Sequence, residues 1–124
     1  MPRRSLKPTI SDLTDGERLV LVRRRSRDGR GMSQAKFGKL IGTTRHQVQG
    51  MELDQLPLRD KAAEVARLVK ADNLTLAERC FLARRRRGWN LTRMAHHLGF
   101  SRFWLAEMEH GRANCDTYAE RMGL

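Results

Sequence analysis

The side chains that could do catalytic or metal chemistry are few and scattered along the chain. The two cysteines and the only adjacent histidines are Cys80, His96, His97 and Cys115. They lack the short paired spacing of a zinc site, and neighbouring residues cannot share one helix face. No glycine-rich phosphate loop is present, and the carboxylates are not grouped. The pattern predicts a protein that is not an enzyme and that carries no metal or cofactor.

The charge balance indicates a polyanionic partner. The 124 residues include 25 Lys and Arg against 14 Asp and Glu, which gives a net charge of +11 and a pI near 11.1. The mean hydropathy of −0.63 indicates a polar protein, but hydrophobic residues make up 40% of the chain, which is enough to form a small core. No apolar run approaches the roughly 18 residues of a membrane span, and we expect a cytoplasmic protein with reduced thiols.

The chain contains an internal repeat that begins at two helix starts. Thr14 with Glu17 recurs 61 residues later as Thr75 with Glu78, each time before apolar residues and a run of Arg. A Thr whose side chain accepts from the backbone three residues on, with a Glu reaching back, is a capping box. We therefore expect a helix after each Thr.

A second pair of matching segments follows at an offset of 57 residues, Ser33 to Glu52 and Asn90 to Glu109. The smaller offset predicts a loop longer by four residues in the first copy, over residues 26–31, where the second copy has Gly88 alone. Inside the first segment, Val48 and Met51 share one helix face, and Gly42 suits a left-handed turn. Helix, glycine-containing turn and helix form a helix-turn-helix.

Smaller signals complete an all-α prediction. Thr44 with Gln47 and, in the second copy, Ser101 can cap the later helix of each pair. Between the copies, residues 58–70 form an amphipathic pattern, and residues 115–122 form a shorter equivalent. The apolar stripe of the first of these segments, residues 58–70, consists of Leu58, Ala62, Val65, Ala66 and Val69. We expect about eight short helices and no strand.

The first copy resembles a known family. The segment from Met32 to Glu52, MSQAKFGKLIGTTRHQVQGME, is similar to the helix-turn-helix of phage repressor and Cro-like (XRE-type) regulators. The Ser-Gln pair, the Leu-Ile-Gly, the apolar residue six places later and the closing Glu fall at the family's spacing. The second copy, Trp89 to Gly111, keeps this frame but has Leu91 where the family usually has Gln. The resemblance implies two tandem lambda-repressor-like units of about four helices each.

The resemblance also implies which side chains meet DNA bases, because the family's second helix enters the major groove. In the first copy these are Thr43, Thr44, Arg45, His46 and Gln49. An Arg can bond to guanine O6 and N7, Gln can address adenine, and Thr methyls can touch thymine. Gly50 stands where the family has a longer side chain. The alternative is that this face is only a solvated helix surface.

Contacts to the DNA backbone are expected from three places. Gln34 resembles the family residue that grips a phosphate and braces the recognition helix, with Lys36 and Lys39 nearby. The run from Arg84 to Arg87 suggests phosphate contacts by Arg84 and Arg85, although such runs are usually solvated helix ends. Arg3 and Arg4 belong to a basic arm over residues 1–12, which either follows a groove or is only a solubilising tail.

The second copy leaves three alternatives open. Its recognition positions are Ser101, Arg102 and Phe103, with Trp104 alongside. The aromatic pair either contacts DNA or forms a protein interface, or Trp104 only packs on Trp89 or on the neighbouring domain. By the alignment, His97 falls at an apolar core position, so we expect it to be buried.

We therefore expect a sequence-specific regulator of transcription with a first unit over residues 13–72 and a second over 73–124. The simplest mode is a repressor that acts in a bacterial cytoplasm as a homodimer or as a pseudo-dimeric monomer on an operator duplex. Small size suggests a phage or mobile-element protein by analogy. The rivals are an activator or anti-activator acting through RNA polymerase or another regulator, a sequence-blind architectural binder, and an RNA-binding protein.

Overall fold

The computed structural model describes residues 13–29 and 31–124, and it confirms the all-α prediction. Over that part of the chain there are eight α-helices, one short 3-10 helix (Ala71–Asn73) and no strand. No helix there is both long and apolar enough to cross a bilayer. The helices are α1 (Asp15–Gly29), α2 (Gln34–Ile41), α3 (Arg45–Glu52), α4 (Asp60–Ala66), α5 (Leu76–Arg87), α6 (Leu91–Leu98), α7 (Arg102–Glu109) and α8 (Asp116–Arg121).

The described residues divide into two compact units, residues 13–73 and 74–124, which we call the N-terminal and C-terminal units. Each has its own apolar core. The core of the N-terminal unit is formed by Leu19, Phe37, Val48, Met51 and Ala62. That of the C-terminal unit is larger and is formed by Cys80, Ala83, Met94, Ala95, Leu98, Leu105, Met108, Tyr118, Ala119 and Met122.

Both long helices start as the repeat predicts. In α1 the Glu17 amide donates to the Thr14 hydroxyl at 3.1 Å, and the Thr14 amide donates to the Glu17 carboxylate at 3.0 Å. Thr75 and Glu78 form the same reciprocal pair at the start of α5. The capping boxes satisfy amides that have no acceptor inside the helix, which fixes where each helix begins.

The expected loop longer by four residues after α1 is wrong. The helix continues through Ser26 to Gly29 and has 15 residues against the 12 of α5, so three of the four additional residues lengthen α1 and one lengthens the loop. The Gly31 amide donates to the Ser26 carbonyl at 2.9 Å, and Ser26 itself donates to the Val22 carbonyl. The added residues lie at the C-terminal end of α1, so the residues before them keep the same buried face.

A three-residue turn joins α2 to α3 and α6 to α7. Gly42 and Gly99 end the first helix of each pair with φ of +75° and +80°, a left-handed conformation that costs a glycine little. Thr44 then caps α3 in a capping box with Gln47, and the Ser101 hydroxyl accepts from the Trp104 amide to start α7. The predicted caps are confirmed at both turns.

The helix predicted over residues 58–70 is shorter in the structure than the apolar pattern indicates. Only Asp60–Ala66 is α-helical, and the amides of Leu68 and Val69 donate three residues back, as in a tight turn. Val69 is nevertheless buried, because the tight turn keeps it on the inner side. Periodicity predicted which residues face inward but overestimated the length of the helix.

An ion pair between Arg23 and Glu52 connects α1 with α3 in the N-terminal unit. Arg23 on α1 donates from Nε and Nη2 to the two carboxylate oxygens of Glu52 at 2.7 and 3.1 Å. Its Nη1 donates to the Met32 carbonyl at 2.9 Å, just before α2. Glu52 is the last residue of α3 and is buried. One guanidinium therefore ties α1 to both helices of the α2–α3 pair.

The start of α1 also lies against the end of α3. A Cβ on Gly16 would lie 2.5 Å from the Glu52 carbonyl oxygen, so only glycine fits, and the Gly16 amide donates to the Asp54 carboxylate at 2.8 Å. The C-terminal unit reverses this arrangement. Ala77 takes the place of Gly16 and Gly111 takes the place of Asp54, and a Cβ built on Gly111 would lie 3.9 Å from the Cβ of Ala77. The two units thus place the smaller residue on opposite sides of the same contact.

Candidate nucleic-acid interface

The helix α3 presents a polar face to solvent and an apolar face to the core. Val48 and Met51 are buried, as expected, and Arg45, His46 and Gln49 are exposed. No hydrogen bond or ion pair to other described residues engages these three side chains. Arg45 and Gln49 are four residues apart, so they project from the same side of the helix. They are available to a ligand as hydrogen-bonding groups.

The two threonines before α3 are used differently. The Thr44 hydroxyl accepts from the Gln47 amide at 3.2 Å, and the Thr43 hydroxyl donates to the side-chain oxygen of Gln47. Both hydroxyls therefore serve the start of the helix. Their methyl groups, the O–H donor of Thr44 and the oxygen of Thr43 are left for an external partner.

Gly50 has a structural explanation. It is buried, and a Cβ built on it would lie 2.7 Å from Cδ1 of Leu56. The chain after α3 thus folds the Leu56 side chain across this position. A longer side chain here would displace Leu56, so this position offers no late contact from α3.

On α2, the structure separates the three residues expected at a DNA backbone. Lys36 and Lys39 are exposed. Gln34 instead turns toward the protein: its Nε2 donates to the Glu52 carboxylate at 3.0 Å. One amide donor of Gln34 therefore supports the buried ion pair of Glu52, and its contact with a phosphate stays a prediction.

In the C-terminal unit, α7 exposes aromatic side chains where α3 exposes polar ones. Phe103 is 71% exposed and Trp104 is 48% exposed, while Arg102 is also at the surface. The Ser101 hydroxyl is taken by its cap, as are those of the threonines before α3. Ala106 occupies the position of Gln49. About half of the Trp104 surface is open, so Trp104 is not a core residue of its own unit.

Arg84 is not a phosphate contact. Its Nε and Nη2 donate to the Glu109 carboxylate at 2.7 and 2.9 Å, its Nη1 donates to the Trp89 carbonyl, and its side chain is only 13% exposed. Arg84 is the counterpart of Arg23. Arg85 is half-buried on the same helix. Arg3 and Arg4, the expected basic arm, lie outside the described residues.

A further hydrogen bond supports Glu109. Tyr118 on α8 is fully buried and donates to the Glu109 carboxylate at 2.5 Å. Burial and the neighbouring Glu109 carboxylate raise the pKa of Tyr118 far above its usual range. Glu52 receives a comparable bond from Gln34, whose place in the second copy is taken by Leu91. The tyrosine therefore replaces the missing amide from another direction.

The two cysteines lie together inside the C-terminal unit. Cys80 is buried and Cys115 is half-buried, and both are free thiols. Burial raises the pKa of Cys80 most, and Cys115 and Glu109 raise it further. A thiol held protonated is a poor nucleophile.

Sequence reasoning missed one basic group, which we call the Trp89 cluster: Arg87, Trp89, Arg93 and His97. The guanidinium carbons of Arg87 and Arg93 lie 5.1 and 4.3 Å from the Trp89 ring centroid. His97 was expected in the core but is exposed, with its ring meeting Trp89 edge-on at 5.0 Å. One signal was available, since Arg93 aligns with Lys36 in the repeat.

The sequence matches no family model, no curated protein and no solved structure. Any functional assignment must therefore be argued from the geometry and charge of the chain's own residues.

Proposed function

We propose that the protein binds specific sequences of double-stranded DNA and regulates transcription, most simply as a repressor that occludes a promoter. In this proposal α2, its turn and α3 are a helix-turn-helix of the phage repressor and Cro-like type. The observation that carries the proposal is the exposed row of Arg45, His46 and Gln49, which stands opposite the buried Val48 and Met51.

The chemistry of that row suits base edges. A helix lying in the major groove reads bases with residues near its N-terminus, where Arg45 is the first residue of α3. Arg45 can bond in a bidentate manner to guanine, and Gln49 can do so to adenine on the same face. Each such pair discriminates against a wrong base by about 1–3 kcal/mol.

The surrounding charge supports affinity. Lys36 and Lys39 are exposed on α2, and the chain as a whole carries a net charge of +11. Lysines near the phosphates would supply the sequence-independent part of binding, while α3 supplies the selective part. By analogy with the resembling family, we place the regulator in a bacterial cytoplasm, acting on an operator without a cofactor or enzymatic step.

The experiment is selection of bound duplexes from a random pool by the wild-type chain and by Arg45→Ala, Gln49→Ala and Arg102→Ala. Arg67→Ala is the matched control, since it removes an exposed arginine of the N-terminal unit outside α2 and α3. We expect Arg45→Ala to relax the preference at a guanine, Gln49→Ala at an adenine, and Arg67→Ala to leave the preference unchanged. An unchanged preference in both α3 variants overturns the assignment of the recognition face.

The same selection separates the proposal from two rivals. A sequence-blind architectural binder would return no preferred sequence, and an unlabelled random duplex would compete with a selected one at equal mass. An RNA-binding protein would instead release every selected duplex to a structured transcript. Either result contradicts a specific reader of double-stranded DNA.

A second function is favoured by the surface of α7. Phe103 and Trp104 are exposed, and Ala106 removes the hydrogen-bonding group that Gln49 provides in α3. An apolar surface of this kind fits a protein partner such as RNA polymerase or another regulator, which would make the chain an activator or anti-activator. Changing Phe103 and Trp104 to Ser should then spare duplex binding and abolish regulation of a reporter.

A further inference from the structure

In the Trp89 cluster two guanidinium groups contact the same aromatic ring. Arg93 is exposed on α6 and Arg87 is half-buried at the end of α5, and both guanidinium groups lie against the Trp89 ring. An aromatic face attracts a cation through its quadrupole, which stabilises each guanidinium at a fixed position. The ring therefore restricts the positions of both guanidinium groups.

Neither guanidinium is neutralised within the described part of the chain. Arg23, Arg84 and Arg112 pair with carboxylates at 2.7, 2.7 and 2.5 Å, but no described carboxylate pairs with Arg87 or Arg93. Nε of Arg87 is enclosed and has no acceptor, which leaves its terminal nitrogens as the donors that can meet a ligand. Two oriented and unpaired guanidinium groups are well matched to an anion with several oxygens.

We propose that the Trp89 cluster binds a phosphate group, and that the group is a backbone phosphate of the bound duplex. The DNA source of the phosphate rests on the proposed function. Guanidinium forks bond to phosphate oxygens in a bidentate manner and are less strongly hydrated than ammonium groups. The cluster thus makes the contact that Arg84, occupied by Glu109, cannot make.

The repeat gives independent support for the position. Arg93 lies 57 residues after Lys36, which is exposed on α2, so both units place a cation at the same point of equivalent helices. The N-terminal unit has Met32 where the C-terminal unit has Trp89 and therefore lacks the ring. Only the C-terminal unit has the stacked pair, and we assign it the firmer of the two contacts.

The test uses Trp89 as its own reporter. The chain has two tryptophans, so Trp104→Phe leaves Trp89 as the sole indole fluorophore. In this background we titrate inorganic phosphate and, separately, a short random-sequence duplex, and we compare Arg93→Ala with Arg79→Ala, an exposed arginine on α5 of the same unit.

We expect both ligands to change Trp89 fluorescence in the parent and in Arg79→Ala. In Arg93→Ala the response to phosphate should be lost, duplex affinity should fall several-fold, and the slope of affinity against salt should decrease by about one. Arg93→Lys should keep the charge but recover only part of the affinity, since it loses the planar fork. Circular dichroism checks that each variant is folded, and Arg93 is chosen over Arg87 because it is the more exposed.

Two results would overturn the proposal. If Arg93→Ala matches Arg79→Ala in fluorescence and in salt slope, the cluster is not a phosphate site. If inorganic phosphate changes the fluorescence but the duplex does not, the phosphate does not come from DNA. Failure of the recognition face is read separately, because Arg45→Ala is scored by the selected sequence and random duplex is bound without it.

Discussion

The carboxylate of Glu109 is a buried charge inside the C-terminal unit. It accepts from Arg84 and from Tyr118, and its side chain is 2% exposed. Glu109→Gln removes the charge but leaves the half-buried Arg84 without its counter-ion. Breaking a buried pair from one side costs about 3–5 kcal/mol, so we expect the free energy of unfolding to fall by that amount. Urea unfolding followed by circular dichroism measures it.

The matched control is a surface ion pair in the same unit. Glu107 accepts from Arg112 at 2.5 Å, with side chains 23% and 52% exposed. Water already solvates and screens both groups, so Glu107→Gln should change the free energy of unfolding by about 0–1 kcal/mol. If Glu109→Gln is as mild as Glu107→Gln, the buried pair does not hold the unit together.

Tyr118 predicts a loss of stability in alkali. Burial and the Glu109 carboxylate raise its pKa well above the ordinary tyrosine value of 10.0. Above pH 10 the unfolded chain releases the phenol proton while the folded chain keeps it, so unfolding is favoured as the pH rises. The contribution of Tyr118 is complete below pH 10 and declines above it. Cys80 acts in the same direction, from about pH 9 upward.

This chain makes the measurement direct, because Tyr118 is its only tyrosine. We expect the ultraviolet absorbance of tyrosinate to stay low in the folded protein at pH 11 and to rise near pH 10 in urea. Tyr118→Phe should flatten the fall of unfolding free energy above pH 10. A normal tyrosine titration in the folded protein would contradict the buried hydrogen bond to Glu109.

At the level of single residues, the sequence predicted positions better than partners. The inward orientation of Val48 and Met51 and the caps at Thr44 and Ser101 are local, and the structure confirms them. The role of Arg84 depends on a residue 25 positions later, which no local pattern reveals. The repeat did contain a signal, since both copies keep an Arg and a Glu at these places.

At the scale of the elements, the contact between α1 and α3 can be tested against the equivalent contact between α5 and α7. Gly16→Ala places a methyl group 2.5 Å from the Glu52 carbonyl oxygen, so backbone must shift. Such overpacking typically costs about 1–3 kcal/mol. Urea unfolding should show this loss in Gly16→Ala.

The control is the reverse change at the equivalent position of the C-terminal unit. Ala77 is buried at the start of α5 and faces Gly111, which leaves it room. Ala77→Gly should cost only the usual difference between the two residues in a helix, about 0.5–1 kcal/mol. Equal losses in the two variants would show that Gly16 is not required by the close approach.

The elements also show where sequence reasoning stops. The four additional residues of the first copy contain Gly and Asp, which favour a turn, but the chain extends α1 to Gly29. Conversely, the apolar stripe over residues 58–70 supports only the seven-residue helix α4. Composition and periodicity identify which face is buried, whereas the packing of neighbours and the available backbone hydrogen bonds decide the length.

At the scale of the whole molecule, the equivalent helices α3 and α7 share their buried residues but expose different side chains. In α3 and α7 the buried residues correspond, since each helix buries an apolar pair and a final glutamate, whereas the exposed residues differ. The repeat therefore predicts which residues of α3 and α7 are buried, but it does not predict what the exposed faces bind. On this basis we expect polar recognition from α3 and leave the exposed aromatic side chains of α7 to the second function.

The net charge leads to a prediction for the whole interface. Arg84 is neutralised by Glu109 inside the protein. Under the two proposals above, the cations that contact phosphates are Lys36, Lys39, Arg87 and Arg93. If each neutralises one phosphate, the slope of log affinity against log salt is about −3.6, at about 0.9 per phosphate. Between 50 and 200 mM salt, affinity for a random duplex should then fall by about 150-fold.

Fluorescence anisotropy of a labelled random duplex measures this slope, with Arg79→Ala and Lys36→Ala compared with the parent. Lys36→Ala should reduce the slope by about one and leave the selected sequence unchanged, because a phosphate contact contains no base information. A flat salt response in the parent would contradict the entire assignment to DNA. A steep response that no single cation alters would instead place the phosphate contacts on other side chains of this basic chain.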